Sequence, residues 1–283
     1  MMSISDLYQK SVEANILLSA QAVEEYHKEP HYRPENVAKV EAKLVDLIRR
    51  TTAKRMLDLG CGTGFMIDIA KKYLEEIIGI DVSQAMLEKV DTTGPAKIQV
   101  LNHDSGTFLA QEGYFDLATA YSFLHHLYDI VPTLRTAYLA LKKGGIFYAD
   151  LEPNYYFWQA IHTLERGKYD PIVNREIEEV TYKNEDIESR FGIDAATYHL
   201  AEYGKNVLGG FKEETLKVKL QEIGFIDVSV FYYWFIGQGQ MINDYQYSKE
   251  ERFKYAEMTD RILQRALPVS RGLYKYLGLI AVK

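Results

Sequence analysis

Met56-Leu57-Asp58-Leu59-Gly60-Cys61-Gly62-Thr63-Gly64-Phe65 is the stretch on which the reading of this 283-residue chain turns. A short apolar run carrying one acid passes into three alternating glycines, then into a segment with helical spacing, Phe65 to Tyr73. Glycines at such a bend let the backbone take positive φ and let a ligand lie against main chain with no Cβ in the way. The helix start behind them offers unpaired N–H groups. The stretch therefore reads as strand, nucleotide-type turn and helix, and what remains is which nucleotide.

Upstream, a helix is expected from residue 3 to 29, capped by Ser5 or Asp6, with Leu7, Val12, Ile16, Leu17 and Val23 as a loose apolar stripe. Pro30 and Pro34 interrupt it before a second helix from Glu35 to Arg50, whose Val37, Val40, Leu44, Leu47 and Ile48 share one face. Downstream the pattern repeats. Strands are expected at Arg55–Leu59, Ile77–Asp81, Ile98–Asn102, Phe115–Ala120 and Ile146–Leu151, with helices at Phe65–Tyr73, Ser83–Val90 and Pro132–Lys142. That alternation implies a mostly parallel sheet covered by helices on both faces. Gly144-Gly145 is expected to end the helix before the fifth strand.

After Leu151 the rhythm breaks. Residues 152–208 are rich in aromatics (Tyr155, Tyr156, Phe157, Trp158) and in acids from Glu176 to Glu188, and read as a helical insertion. The sheet pattern resumes with a helix Lys212–Ile223, Gly224 as its stop and a strand Ile226–Tyr233; an irregular segment, 235–272, leads to a last strand, Leu279–Val282. Four regions follow: 1–52 as N-terminal helices forming a lid or cap, 53–151 as the binding core, 152–208 as a substrate-binding insertion, and 209–283 as the rest of the sheet.

A net charge of −7 argues against a nucleic-acid partner, and Lys71-Lys72 and Lys142-Lys143, near expected helix ends, read as surface. With Asp6, Lys10, Glu13 and Glu24 mixed into the first apolar positions no secretory leader is expected, and no apolar run is long enough to span a bilayer. The single cysteine, Cys61, excludes an intrachain disulfide and any multi-cysteine metal site. No metal is expected, and a cytoplasmic setting is.

The dinucleotide fingerprint G-x-G-x-x-G needs a third glycine where Phe65 stands. The stretch instead resembles the first motif of the class I S-adenosylmethionine-dependent methyltransferases, and the likeness continues downstream. Gly79-Ile80-Asp81-Val82-Ser83 closes strand two, Asn102-His103-Asp104-Ser105 strand three, and Phe115–Ala120 runs into Tyr121-Ser122-Phe123-Leu124-His125-His126-Leu127; Leu141–Phe147 is similar to the turn before the family's fifth strand. The match spans about 53–151, and the small-molecule branch that includes quinone-biosynthesis methylases is the nearest in look. It implies an α/β, Rossmann-like, seven-stranded sheet and S-adenosylmethionine as cofactor, with S-adenosylhomocysteine as product.

By that resemblance Asp58 sits at the methionine end beside Gly60, Cys61, Gly62 and Gly64; Asp81 takes the ribose hydroxyls with Val82 beside it; Met86 flanks the adenine; Asp104 accepts from its amine with Ser105 adjacent; and Tyr121 lends its carbonyl to the methionine amine. Plainer readings stand beside these. Cys61 is a small residue in a tight turn, since nothing cationic adjoins it to make a nucleophile. Asp58 could be a buried strand acid, Asp81 the start of the next helix, and Met86 core filling. His125 and His126 are the candidate proton acceptors beside the methyl group, against a capping or packing role; Asp150, Glu152 and His162 are rivals, and His27, His31, His103 and His199 read as surface or core.

The function expected is in-line methyl transfer to a small-molecule acceptor, through oxygen, nitrogen or carbon. An aromatic or apolar acceptor would suit the aromatic runs Tyr155–Trp158 and Tyr232–Phe235. Two other classes compete: a cofactor-binding protein without catalysis, acting as regulator or partner, and a nicotinamide-linked dehydrogenase, which Phe65 disfavours.

Overall fold

The computed structural model describes residues 4–180 and 184–283, so residue 3, the expected helix start, and residues 181–183 within the expected insertion lie outside it. The elements are α1 (Ile4–Ala22), α2 (Pro34–Thr51), β1 (Arg55–Leu59), α3 (Phe65–Ala70), β2 (Glu76–Asp81), α4 (Gln84–Leu87), β3 (Lys97–Asn102), β4 (Phe115–Tyr121), α5 (Val131–Ala140) and β5 (Leu141–Pro153). The insertion supplies α6 (Tyr155–His162), α7 (Pro171–Val180), α8 (Asn184–Phe191) and α9 (Ala195–Ala201), followed by a π-helical turn, Tyr203–Val207. Then come α10 (Glu213–Ile223), β6 (Ile226–Phe235), α11 (Gln238–Ile242), α12 (Lys249–Arg265) and β7 (Tyr274–Val282). No described helix is long and apolar enough to cross a membrane.

The seven strands pair in the order β3-β2-β1-β4-β5-β7-β6, with β7 antiparallel to both neighbours and the first five parallel. Alternation along β1 divides the core. Leu57 and Leu59 pack with Phe147, Leu216 and Phe225 on one face of the sheet, while Met56 packs with Leu44, Leu47, Ile67 and Leu117 on the other. Leu44 and Leu47 are fully buried, so truncating either to alanine costs about 2–5 kcal/mol. Strand order reverses between β1 and β4, and in such sheets ligands lie outside the carboxyl ends of the strands at that reversal.

Three expectations are corrected. The first helix stops at Ala22, and the chain continues as two 3-10 turns, Tyr26–Lys28 and Pro30–Tyr32, ahead of Pro34. Gly144 and Gly145 do not cap a helix: α5 ends at Ala140 and the glycines sit in a bulge inside β5, where pairing jumps from Phe115↔Leu141 to Leu117↔Ile146. Lys142 lies just past the end of α5, as expected, and pairs with Asp116. The last strand also begins earlier than expected, because Lys275 is buried there on Glu176 of α7 at 3.0 Å, so a charged residue hides half a strand.

Candidate functional site

All three glycines of the bend have positive φ: Gly60 at +69°, Gly62 at +52° and Gly64 at +93°. The N–H groups of Gly60 and Cys61 both donate to Ile80 O, at 2.8 and 3.0 Å, tying the bend to β2. A Cβ at Gly60 would stand 2.0 Å from the Phe123 ring, so glycine is demanded there by packing as well as by φ. The Cys61 side chain fills the space over Gly79, where a Cβ would meet its Sγ at 2.9 Å. Burial pushes the Cys61 thiol up, which fits packing and not nucleophilic chemistry.

Asp58 lies one residue before the end of β1 with its side chain buried. One oxygen accepts from Thr119 Oγ1 at 2.6 Å; the other, Oδ2, is buried with no hydrogen-bond partner among the described residues. Burial raises its carboxyl to about 7, against the Thr119 bond that lowers it. It faces a cavity of about 20 Å³ lined by Gly60, Gly62, Phe65 and Tyr121 and roofed by Tyr26 and His31. That is room for about one water.

At the end of β2, Asp81 accepts from Gly62 N at 2.9 Å and Ser83 N at 2.8 Å, and burial raises its carboxyl. Val82 follows it and gives its carbonyl to Asn102 Nδ2 at 2.8 Å; Ser83 caps α4 through Met86 N at 3.4 Å, and Met86 is buried. Past β3, Asp104 is taken by Tyr8 Oη, 2.9 and 2.7 Å from its two oxygens, and by Gly106 N at 2.7 Å. Ser105 turns the other way, its hydroxyl 2.8 Å from Thr133 Oγ1 of α5. Tyr121 ends β4 with its ring 4.7 Å from that of Phe65.

His125 and His126 lie on a 3-10 turn, Leu124–His126, beyond β4. Two non-glycine residues with positive φ shape this edge, Ser122 at 52° and Leu151 at 59°. The irregularity between Ala149 and Glu152 in β5 turns Glu152 onto the histidine turn, where its buried carboxyl group accepts from Phe123 N, Leu124 N, His125 N and His125 Nδ1 at 2.8–3.0 Å. His126 Nδ1 lies 2.9 Å from Ala201 O. A carboxylate and a carbonyl only accept, so both imidazoles carry a proton on Nδ1. Burial lowers the pKa of His126, so it is neutral at pH 7. Glu202 lies 4.0 Å from His125 Nε2 and 3.8 Å from His126 Nδ1; burial opposes its charge, but Lys205 at 3.0 Å holds its pKa down. The ligand-type atoms of His125, His126 and Glu202 lie within 4.8 Å of one another, with the Lys205 ammonium already on the glutamate.

Of the rivals, Asp150 is buried and bonded by Tyr148 Oη and Leu151 N, while His162 is exposed at the end of α6. Sequence reasoning missed Tyr8, Tyr26, His31, Glu202 and Lys205 because they come from segments far from the motifs. Only Pro30 and Pro34, which mark where the chain turns over the bend, gave any signal.

Residues 57–149 match the family described as a methyltransferase domain. Over 120 residues the chain is 29% identical to a ubiquinone biosynthesis O-methyltransferase of Paraburkholderia phymatum, covering 41% of this chain and 52% of that one. Over 110 residues it is 32% identical to a putative methyltransferase of Bacillus subtilis, covering 36% and 43%. The chain thus spans about half the length of the curated relatives it matches. The fold is shared with an S-adenosylmethionine-dependent methyltransferase from Archaeoglobus fulgidus (TM-score 0.52, 19% identity, 87% of this chain and 94% of that one). It is shared too with one from Mesorhizobium loti (TM-score 0.52, 20% identity, 86% and 96%).

Proposed function

We propose that the protein transfers a methyl group from S-adenosylmethionine to a small-molecule acceptor. The observation that carries this reading is the buried Oδ2 of Asp58 above the glycine bend, without a hydrogen-bond partner among the described residues, an acceptor to which a cofactor ammonium group would donate. Gly60, Gly62 and Gly64 would let the methionine tail lie on main chain, Asp81 would take the ribose hydroxyls, and Asp104 the adenine amine. The buried Phe65, where a dinucleotide site needs glycine, speaks against nicotinamide.

Bound there, the cofactor supplies a sulfonium-activated methyl group. The chain's own task is to hold the acceptor in line and keep water out, which proximity makes worth several orders of magnitude. His126, the more exposed histidine at 25% against 8%, takes the acceptor's proton on Nε2. Glu152 and His125 hold the turn that carries it. The relatives' O-methyltransferase names favour a hydroxyl acceptor. The insertion 152–208 supplies substrate walls and residues 1–52 a cap, and the lone reduced cysteine suits the cytoplasm.

The test is a screen with methyl-tritiated S-adenosylmethionine over pools of phenols, amines and carbon acids. Label moving into one pool supports the reading; saturable cofactor binding with no label moved in any pool would leave the non-catalytic alternative.

A further inference from the structure

The N-terminal segment touches the carboxyl ends of three strands. Tyr8 Oη sits on Asp104 beyond β3, Asn15 Nδ2 donates to His126 O beyond β4 at 2.8 Å, and Tyr26 and His31 roof the bend beyond β1. Tyr32 Oη, 2.6 Å from Thr63 Oγ1, fastens the far end. Along its length Ala14 and Leu18 pack on Ile187, Tyr198 and Ala201 of the insertion, joined by Ser11 Oγ to Leu200 O at 3.3 Å.

We propose that residues 4–32 are a strap that the cofactor must displace, and that the Tyr8–Asp104 hydrogen bond is its release point. The inference rests on the crevice being the cofactor site. The phenol oxygen stands astride the carboxyl group, and Gly106 N occupies a further position on Oδ1. A Cβ at Gly106 would lie 2.9 Å from Tyr8 Oη, so the phenol sits tight against the loop at this point. The room left over the bend, about 20 Å³, is far below the roughly 300 Å³ or more that a ligand of nucleoside size needs. When the phenol leaves, a ring amine replaces it as donor to the same carboxylate, so the hydrogen bond is exchanged and not lost. Binding then draws on the fraction of molecules with the strap released, which slows association and weakens apparent affinity by that fraction.

The test is stopped-flow binding of S-adenosylhomocysteine to the full chain, read through tryptophan fluorescence, for wild type, Tyr8→Phe and Tyr8→Leu. Both variants are expected to associate on the order of 10-fold faster, with Kd tighter by a similar factor and dissociation little changed. Wild-type association rates in both variants would overturn the strap while leaving the cofactor reading intact. No binding by any form, wild type included, would overturn the cofactor reading and the strap with it. Hydrogen exchange on wild type is independent of whether the variants fold: residues 4–12 should lose protection when S-adenosylhomocysteine binds, and unchanged or greater protection would contradict the proposal.

Discussion

Glu152 Oε2 lies 2.8 Å from His125 Nδ1, and the same carboxyl group holds three consecutive backbone N–H groups, those of Phe123, Leu124 and His125. One buried side chain thereby sets both the turn and the tautomer. Glu152→Ala leaves four buried donors without an acceptor and should cost about 2–4 kcal/mol in denaturant unfolding. Glu152→Gln keeps one oxygen and should lose less stability and little turnover. If Glu152→Gln cut turnover as deeply as His126→Gln at unchanged stability, the proton acceptor would be His125.

His126 supplies a pH signature. Burial holds its pKa below the ordinary imidazole value of about 6.5, so the lone pair on Nε2 is present throughout the neutral range. Turnover should be flat above about pH 7 and fall only in acid, and His126→Gln should lower it about 100-fold or more and abolish the acid limb. A His126→Ala variant with wild-type turnover at every pH would remove this residue from the proposed mechanism.

Asp58 couples stability, pH and cofactor. Its carboxyl group titrates near 7 in the fold against about 4 in an unfolded chain, so between those values the folded state keeps a proton that the unfolded chain has lost. Its contribution to stability therefore falls as pH rises from about 4 to about 7. Asp58→Asn should unfold at higher denaturant than wild type at pH 8, by roughly 1–3 kcal/mol, and match it near pH 4. A cofactor ammonium beside Oδ2 favours the ionised form, so binding near pH 6 should release up to about one proton, seen in calorimetry across buffers of different ionisation heat. Asp58→Asn less stable than wild type at pH 8 would show that the carboxylate has a partner the account lacks.

Cys61 is packed against Gly79 with its thiol pKa raised. Native protein should resist iodoacetamide at pH 8 while unfolded protein reacts, and Cys61→Ala should keep turnover. Rapid alkylation of the folded protein would refute the packing role.

The core was legible because its chemistry is local. β1 announces itself by a run of buried residues and its glycines, and Asp81 and Asp104 follow at strand ends that alternation locates. What was illegible depends on distant partners. Lys275 looks foreign to a strand until Glu176, about a hundred residues earlier, neutralises it, and Gly144 reads as a helix stop until the bulge opposite Phe115 absorbs it. Tyr8, Tyr26 and His31 reach the crevice only because two 3-10 turns fold the N-terminal segment back over β1. Apart from Pro30 and Pro34, nothing in their neighbours' sequence encodes that destination.

The central claim is that the bend, Asp81 and Asp104 hold S-adenosylmethionine, and calorimetric titration with S-adenosylhomocysteine tests it most directly. Saturable binding at one site per chain is expected, about 10–100-fold weaker in Asp81→Asn, with no heat from NADH. Binding of NADH, or no binding of S-adenosylhomocysteine at millimolar concentration, would contradict it.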